Sequence, residues 1–407
     1  MSRRPPASRS PTRSSSGIDC FAVAAPGLEK LVAGELKALG VASHAEEGGA
    51  AFHGTIDSLA RANLWLRTAS RVIVRVASFR AQAFHELERL ARAVAWEQFI
   101  APGAAVQWRV TSRKSRLYHT GGIEQRLNEA IEHRLGKPSS SAGSHDDDEG
   151  DGDGGDAQLF VIRVVRDVFT ISVDSSGSLL HQRGYRQAVA KAPMRETLAA
   201  AMLMSAAWDG DRPLIDPLCG SGTIAIEGAL LARRIAPGLH RRFAFTGWPQ
   251  LNAERWKQIR AEAESAALPR ASVMIRGSDR DAGAIEAARA NAERAGVGGD
   301  IELSVQALSA TDCPPRARGT VATNPPYGVR VGEASTLRDL YARLGQLLRR
   351  RCAGWQLVIL SANPRLDAQL RLPLRELVQT RNGGIPVRIL ESRLREEDTG
   401  PTAPASC

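Results

Sequence analysis

Two short stretches carry the residues that could do chemistry. The first is Asp216-Pro217-Leu218-Cys219-Gly220-Ser221-Gly222-Thr223. It follows the apolar pair Leu214-Ile215 and precedes a run of Ile, Ala and Leu from Ile224 to Ala232, so its order is strand, glycine turn, helix. Two glycines around a serine let the backbone turn sharply and let a ligand lie against it. The helix that follows would present unpaired N–H groups at its start. In an open parallel sheet, ligands collect outside the carboxyl ends of the strands, where such a turn sits. The second stretch is Asn324-Pro325-Pro326-Tyr327, after the run Thr320-Val321-Ala322-Thr323. An exocyclic base amine is a poor nucleophile because its lone pair is delocalised into the ring. The Asn side-chain oxygen and the next carbonyl could each accept an amine N–H, localising that lone pair and aiming it at an electrophile. Prolines stiffen the turn and preorganise these acceptors. Tyr327 would offer an aromatic face to an extruded base.

The glycine turn alone is ambiguous. Gly220-x-Gly222-x-x-Ala225 fits a relaxed dinucleotide fingerprint, and a bare turn between a core strand and a core helix is the plainer reading. Asp216 ahead of the glycines, and the later Asn324–Tyr327, argue against both. Asp279 ends the next parallel strand, over 273–279, where a carboxylate could accept hydrogen bonds from ribose hydroxyls. Its competing role is to cap the helix beginning at Asp281. A strand-end acid, a GxG turn and a later strand-end NPPY resemble the class I S-adenosylmethionine-dependent methyltransferases that modify exocyclic amines of nucleobases.

The elements that would position these residues read as follows. Strand 21–23, a helix over 29–39, a helix over 55–66 and strand 71–79 make a small α+β unit, the helices carrying apolar residues at helical spacing. A helix over 84–100, strand 105–111, the basic loop 112–122, a helix over 123–135 and the strand pair 159–165 and 168–173 make a second. A helix over 195–208 ends the connector to the third. Its strands are 214–215, 273–279, 301–305, 320–323 and 355–361, alternating with helices and closed by a hairpin over 377–390 with a glycine turn at Asn382-Gly383-Gly384. That pattern gives an α/β fold, a doubly wound sheet with an antiparallel edge hairpin. The aromatic cluster Phe243, Phe245, Trp248 and Trp256 is expected to pack an inserted helical segment rather than stack a base.

Charge points to the partner. The 407-residue chain carries a net +10, and setting aside the seven acids between Asp146 and Asp156 leaves +17 for the rest. A body that basic suggests a polyanion, most simply nucleic acid. The acidic run reads as a solvated loop. A calcium loop is excluded because the closing Glu is missing: the twelfth position from Asp151 is Ile162. No apolar run approaches the ~20 residues of a membrane span. The Arg-, Pro- and Ser-rich start has no apolar core of a secretory signal. Five cysteines, scattered and without CxxC spacing, argue against disulfides and a structural zinc; no metal is expected, and a reducing cytoplasm suits them.

With these motifs in hand, the chain resembles the THUMP-domain RNA methyltransferases that make N2-methylguanine, the bacterial large-subunit ribosomal RNA type in particular. The resemblance covers nearly all of residues 18–392. It rests on Pro26-Gly27-Leu28-Glu29, the loop Arg113 to Thr120 and Arg183-Gly184-Tyr185-Arg186 in the first half. In the second half it rests on Asp216 to Thr223, Phe243 to Pro249, Asn324 to Gly328 and Asn382-Gly383-Gly384. It implies a basic tail at 1–17, a ferredoxin-like domain at 18–80 and a THUMP domain at 81–178 with an acidic loop at 137–157. It also implies a connector at 179–210, a methyltransferase domain at 211–395 and a tail at 396–407. It implies that Asp216, Pro217, Cys219, Gly220, Ser221, Gly222, Thr223 and Asp279 hold S-adenosyl-L-methionine, and that Asn324, Pro325, Pro326 and Tyr327 hold the target amine. The basic loop and connector make Arg113, Lys114, Arg116, His119, Arg183 and Arg186 candidates for RNA contact. One departure stands out: where the family has an acid for the adenine amino group, this chain has Leu308. The competing functions are an N6-adenine methyltransferase on DNA or RNA, a tRNA guanine-N2 methyltransferase, a nicotinamide oxidoreductase and a non-catalytic RNA-binding factor.

Overall fold

The computed structural model describes residues 17–101, 103–135, 157–186, 194–314, 317–327 and 334–394. The acidic run, both tails and Gly328 lie outside them. Two seven-stranded sheets organise the chain.

The first sheet takes β1 (Ile18–Ala24), β2 (Ser43–Glu46), β3 (Gly49–Gly54), β4 (Ala69–Arg80), β5 (Val106–Arg113), β6 (Gln158–Val165) and β7 (Val168–Asp174) in the order β2-β3-β1-β4-β7-β6-β5. Only β5 and β6 run parallel. Four helices cover it: α1 (Glu29–Ala38), α2 (Ile56–Trp65), α3 (Phe84–Ala91) and α4 (Thr120–Leu135). Thr55 starts α2 through a reciprocal cap with Ser58. Because β4 pairs with β7 over Ile73 to Arg80, the sheet runs uninterrupted across residue 80. Residues 18–80 and 81–178, expected as two units, therefore share one sheet.

Two expectations change here. The helix expected over 84–100 ends at Ala91, followed by a single 3₁₀ turn at Trp96–Gln98. Trp96 causes the break. Its indole N–H donates to the Ala91 carbonyl at 2.9 Å, and its ring is buried edge-on against Trp108 and Phe160. The β2–β3 hairpin, between α1 and α2, is additional to the expected elements.

The second sheet takes β8 (Leu214–Asp216), β9 (Ile275–Asp279), β10 (Glu302–Val305), β11 (Thr320–Thr323), β12 (Gln356–Ser361), β13 (Arg375–Asn382) and β14 (Ile385–Arg393). Its order is β10-β9-β8-β11-β12-β14-β13, parallel except at β14 and β13. This is the doubly wound sheet with an antiparallel edge. Helices α5 (Glu196–Ser205), α6 (Thr223–Ala232), α7 (Ala253–Ser265), α8 (Ala282–Arg294) and α9 (Ala334–Arg351) accompany it. All four residues of β11 are buried, as a central parallel strand requires. No described helix is long and apolar enough to cross a membrane.

The segment between α6 and β9 fastens the two sheets together. Gly238 N–H donates to Leu64 O at 2.9 Å, and Phe245 N–H to Ser175 O at 3.1 Å. The Trp248 indole donates to Gln158 Oε1 at 2.7 Å and packs edge-on against Phe99. Phe243, Phe245 and Trp248 are buried, so this aromatic cluster is packing, as expected. Arg255 pairs with Asp57 at 2.7 Å, and Arg61 with Glu262.

The expectation of free cysteines is corrected. Cys313 and Cys352 form a disulfide, both sulfurs inside a cluster with Val321, Trp355 and Leu357. The pair is 39 positions apart, and only the return of α9 against the segment after β10 brings it together. Cys20 and Cys219 are free and buried.

Candidate active site

The glycine loop leaves the carboxyl end of β8 and opens α6. Gly220 and Gly222 both have positive φ, 51° and 83°. A Cβ on Gly222 would lie 3.0 Å from the Ala288 methyl, so a side chain there would push α8 away. The loop is tied on both sides. Cys219 N–H donates to Ser278 O at 2.9 Å, and Asn291 donates to Ser221 O at 3.1 Å. Burial pushes the Cys219 thiol up, and the nearby Asp216 and Asp279 carboxylates add to that, so it is no nucleophile.

Asp279 accepts the Gly220 N–H at 3.0 Å and the Asp281 N–H at 3.0 Å. The cap of α8 is Asp281 itself, whose carboxylate accepts from Gly283 and Ala284. Asp279 is thus freed from the capping role and sits half-buried at the strand end, beside the glycine loop. Its own carbonyl accepts from Gln306 N–H at 2.8 Å, joining β9 to the segment that carries Leu308.

Asp216 is the hinge pin between the two motifs. Its buried carboxyl accepts from Leu218 N–H at 3.2 Å and from the Thr323 hydroxyl at 2.9 Å. Thr323 is the residue immediately before Asn324, so one carboxyl holds both the glycine loop and the NPPY turn. Burial pushes Asp216 up to about 7, with Asp279 adding in the same direction; the Thr323 and Leu218 hydrogen bonds oppose the shift.

Asn324 follows β11 directly. Its side-chain oxygen is buried and has no hydrogen-bond partner among the described residues. A buried amide oxygen left unpaired is costly, about 1–3 kcal/mol, and such an atom asks for a ligand donor. Pro325 is buried and Pro326 exposed. The Tyr327 hydroxyl accepts from the Asn382 amide at 2.9 Å, which fixes the ring against the β13–β14 turn. Thr323, Asn291 and Asn382 support the motifs from elsewhere in the chain. Only the glycine turn at 382–384 gave any sign of this in the sequence.

The two basic stretches part company. Arg113, at the end of β5, and Lys114, Arg116 and His119, on the loop between β5 and α4, are all exposed. The loop backbone is set: Asp167 accepts the Arg116 N–H at 2.8 Å, and Ser112 donates to Leu117 O at 2.7 Å. Tyr118 is 65% exposed, its ring 4.3 Å from that of His119. Arg183 and Arg186, by contrast, turn inward, and their expected contact with RNA is corrected. Arg183 is 4% exposed, donates to the Leu180 and Arg67 carbonyls, and lies 3.6 Å from Glu227. Arg186 donates to Thr223 Oγ1 at 2.6 Å and to Met194 O at 3.0 Å, with Glu196 3.6 Å away. Tyr185 donates to Glu227 at 3.2 Å. Burial drives these choices: a guanidinium inside the protein must find carboxylates and carbonyls, and Glu227 on α6 and Glu196 on α5 supply them. Burial also pushes Glu196 up to about 7, against the pull of Arg186.

The backbone donors at the start of α6, the strand-end Asp279 carboxylate and the unpaired Asn324 oxygen together suit a nucleoside-type cofactor and an amine substrate. Comparison with known proteins supports a methyltransferase and its S-adenosylmethionine cofactor. Residues 183–390 match the family model UPF0020, an RMKL-like methyltransferase domain, and residues 19–73 match the RlmL ferredoxin-like domain. The ribosomal RNA large subunit methyltransferase K/L of Syntrophotalea carbinolica is 36% identical over 96% of this chain. The chain spans 56% of that relative's length. YpsC of Bacillus subtilis is 36% identical over 85% of this chain and 88% of its own. Among solved structures, SMU.472 in complex with SAH superposes with a TM-score of 0.82 at 28% identity, covering 95% of this chain and all of that one. A Listeria monocytogenes protein described as a predicted N6-adenine-specific DNA methylase gives 0.80 at 31% identity, covering 92% and 96%.

Proposed function

The chain belongs to the UPF0020 family of RMKL-like methyltransferase domains, and from that premise we propose that it methylates the exocyclic N2 amine of a guanine in structured RNA, large-subunit ribosomal RNA above all, with S-adenosyl-L-methionine as donor. The unpaired Asn324 oxygen carries the reading. It is an acceptor already desolvated and aimed, and the Pro325 carbonyl is the second acceptor. Two acceptors on one amine draw its lone pair out of conjugation with the ring, and the two prolines that follow Asn324 hold them there without reorganisation. Tyr327, braced by Asn382, gives the extruded base a face to lie on. The cofactor supplies an electrophilic methyl on a sulfonium. Pro217, Cys219, Ser221 and Thr223 shape the loop that would hold it, Asp216 and the two glycines set the loop's path, and Asp279 would accept from its ribose. The spent amine proton can leave to solvent after transfer, so no side chain need act as base beforehand. The exposed Arg113, Lys114, Arg116 and His119 would grip RNA phosphate. Gln306 and the backbone beside Leu308 would meet the adenine. The compartment implied is the cytoplasm, where ribosomal RNA is modified.

The test is methyl transfer from labelled S-adenosylmethionine to total RNA from cells lacking this protein, followed by nucleoside analysis. Labelled N2-methylguanosine is the expected product. Labelled N6-methyladenosine would keep the amine mechanism and overturn the base. The absence of any labelled nucleoside would sink the reading. Asn324→Ala is expected to reduce transfer about a hundred- to a thousandfold while cofactor affinity stays within about twofold, since one preorganised donor or acceptor is commonly worth 10²–10³ in rate. If both fall together, Asn324 holds the fold and not the amine.

A further inference from the structure

A cavity of about 350 Å³ lies where the first sheet meets the turn between β13 and β14. Its walls come from both halves of the chain: β1, β4, β5 and β6 on one side, the start of α5 and the end of β13 on the other. Four arginines, Arg71, Arg109, Arg195 and Arg381, line it together with His181. No aspartate or glutamate is among its described lining residues. Arg71 is partly offset by Asp174, which it meets at 2.5 Å behind the wall. The rest of the lining is largely aliphatic, Val161 and Leu198 among it. A cavity of this size, with arginines and aliphatic side chains on both of its sides, suits an amphipathic anion rather than a bare ion or a lipid chain.

Its position narrows the choice. Ser361, at the carboxyl end of β12, is paired with Arg388 near the start of β14, so the β13–β14 turn projects from the edge of the sheet where the candidate active site lies. Asn382 in that turn lines the cavity and also holds the Tyr327 hydroxyl. One residue therefore separates the cavity from the loop that would hold the target base. The opposite lip is as firmly set. The turn before α1 rests on β13 so closely that a Cβ on Gly27 would lie 2.1 Å from the Gln379 carbonyl oxygen.

We propose that this cavity takes a nucleotide neighbouring the target base in the substrate RNA, its phosphate held by arginine side chains and its base against the aliphatic ones. This rests on the RNA reading above. A free nucleotide shares the same chemistry, and the experiment separates the two sources. The full chain and its R109Q/R381Q double variant are compared for affinity toward ribosomal RNA from cells lacking the protein, across a salt series. Affinity for S-adenosylmethionine serves as the fold control. The variant is expected to bind RNA at least tenfold more weakly, with a salt slope smaller by about one to two units, and to bind the cofactor within twofold of wild type. Guanosine and adenosine monophosphate should compete with RNA for the wild-type chain, and inorganic phosphate more weakly. Unchanged RNA affinity and slope with cofactor binding intact would overturn the proposal. So would a nucleotide site that the variant loses while RNA affinity stays the same, since that assigns the cavity to a free nucleotide. If the double variant loses cofactor binding, R381Q alone, on an exposed strand end, gives the same readout. Binding is read without methyl transfer, so the wrong base among the products leaves this result standing. A wild-type chain that binds no RNA refutes the RNA reading itself.

Discussion

The loop between β5 and α4 and the connector leading to α5 carry the same kinds of residue and are put to opposite uses. In the loop, Arg113, Lys114 and Arg116 point outward, and the chain spends its internal hydrogen bonds on the loop backbone, through Asp167 and Ser112. In the connector, Arg183 and Arg186 point inward and the guanidinium groups themselves donate, to the carbonyls of Leu180, Arg67 and Met194. One arrangement presents charge and the other consumes it. The difference lies in the neighbours. Glu227 and Glu196 are fully buried acids facing the connector, and buried charges without partners are not tolerated. Arg186 also reaches the Thr223 hydroxyl, so the connector acts on the glycine loop from behind.

That contrast can be broken from either side. The largest effect is expected from Glu227→Ala, which strands Arg183 in the interior. A buried pair broken on one side costs about 3–5 kcal/mol, to be read as a lower denaturant midpoint. A loss under 1 kcal/mol would mean that the carbonyls alone satisfy Arg183. The second test uses pH. Glu196 has its carboxyl raised from 4.5 to about 7 in the fold. A raised carboxyl favours the folded state below its unfolded value and loses that contribution as pH climbs through the folded one. Wild type should therefore lose stability, on the order of 2–3 kcal/mol, between pH 4.5 and 7 relative to Glu196→Gln. Parallel pH profiles of the two proteins would show that Arg186 keeps Glu196 ionised throughout. The smallest effect on the fold belongs to the loop. Arg113→Ala with Lys114→Ala should leave stability within about 0.5 kcal/mol while the salt slope of RNA binding shrinks by about two. Unaltered RNA binding would remove the loop from the interface and leave the two regions differing only in burial.

Much of the architecture is legible in residue order because burial and periodicity are local. The run 320–323 is a strand with all four residues buried, and α1 begins and ends within a residue of its expected limits. What the chain order hides is pairing. Nothing near Arg183 announces Glu227, and nothing near Cys313 announces Cys352. Apart from Phe52, the β2–β3 hairpin is built from small and polar residues, so it has no apolar alternation to reveal it. In the candidate site, Asp216, the glycines and Asn324 stand out by type and spacing. The bond from Asn382 to Tyr327 does not, because it joins residues 55 positions apart in the chain. The same holds for Asp279 and Asp281: two acids two positions apart could each cap α8, and only backbone geometry gives the cap to Asp281.

The segment between α6 and β9, with Trp248 bonded to Gln158 and Gly238 to Leu64, has a consequence for what RNA could be read. It makes the chain a caliper with a locked gap. On the RNA reading, the jaws are the outward arginines near β5 and the Asn324 turn, and their separation is set by protein packing alone. An RNA would then be chosen by whether its own folding puts a grip point and an extrudable base at that one span. A short strand bearing the right base in the right sequence, with no second point to hold, would be left unmeasured.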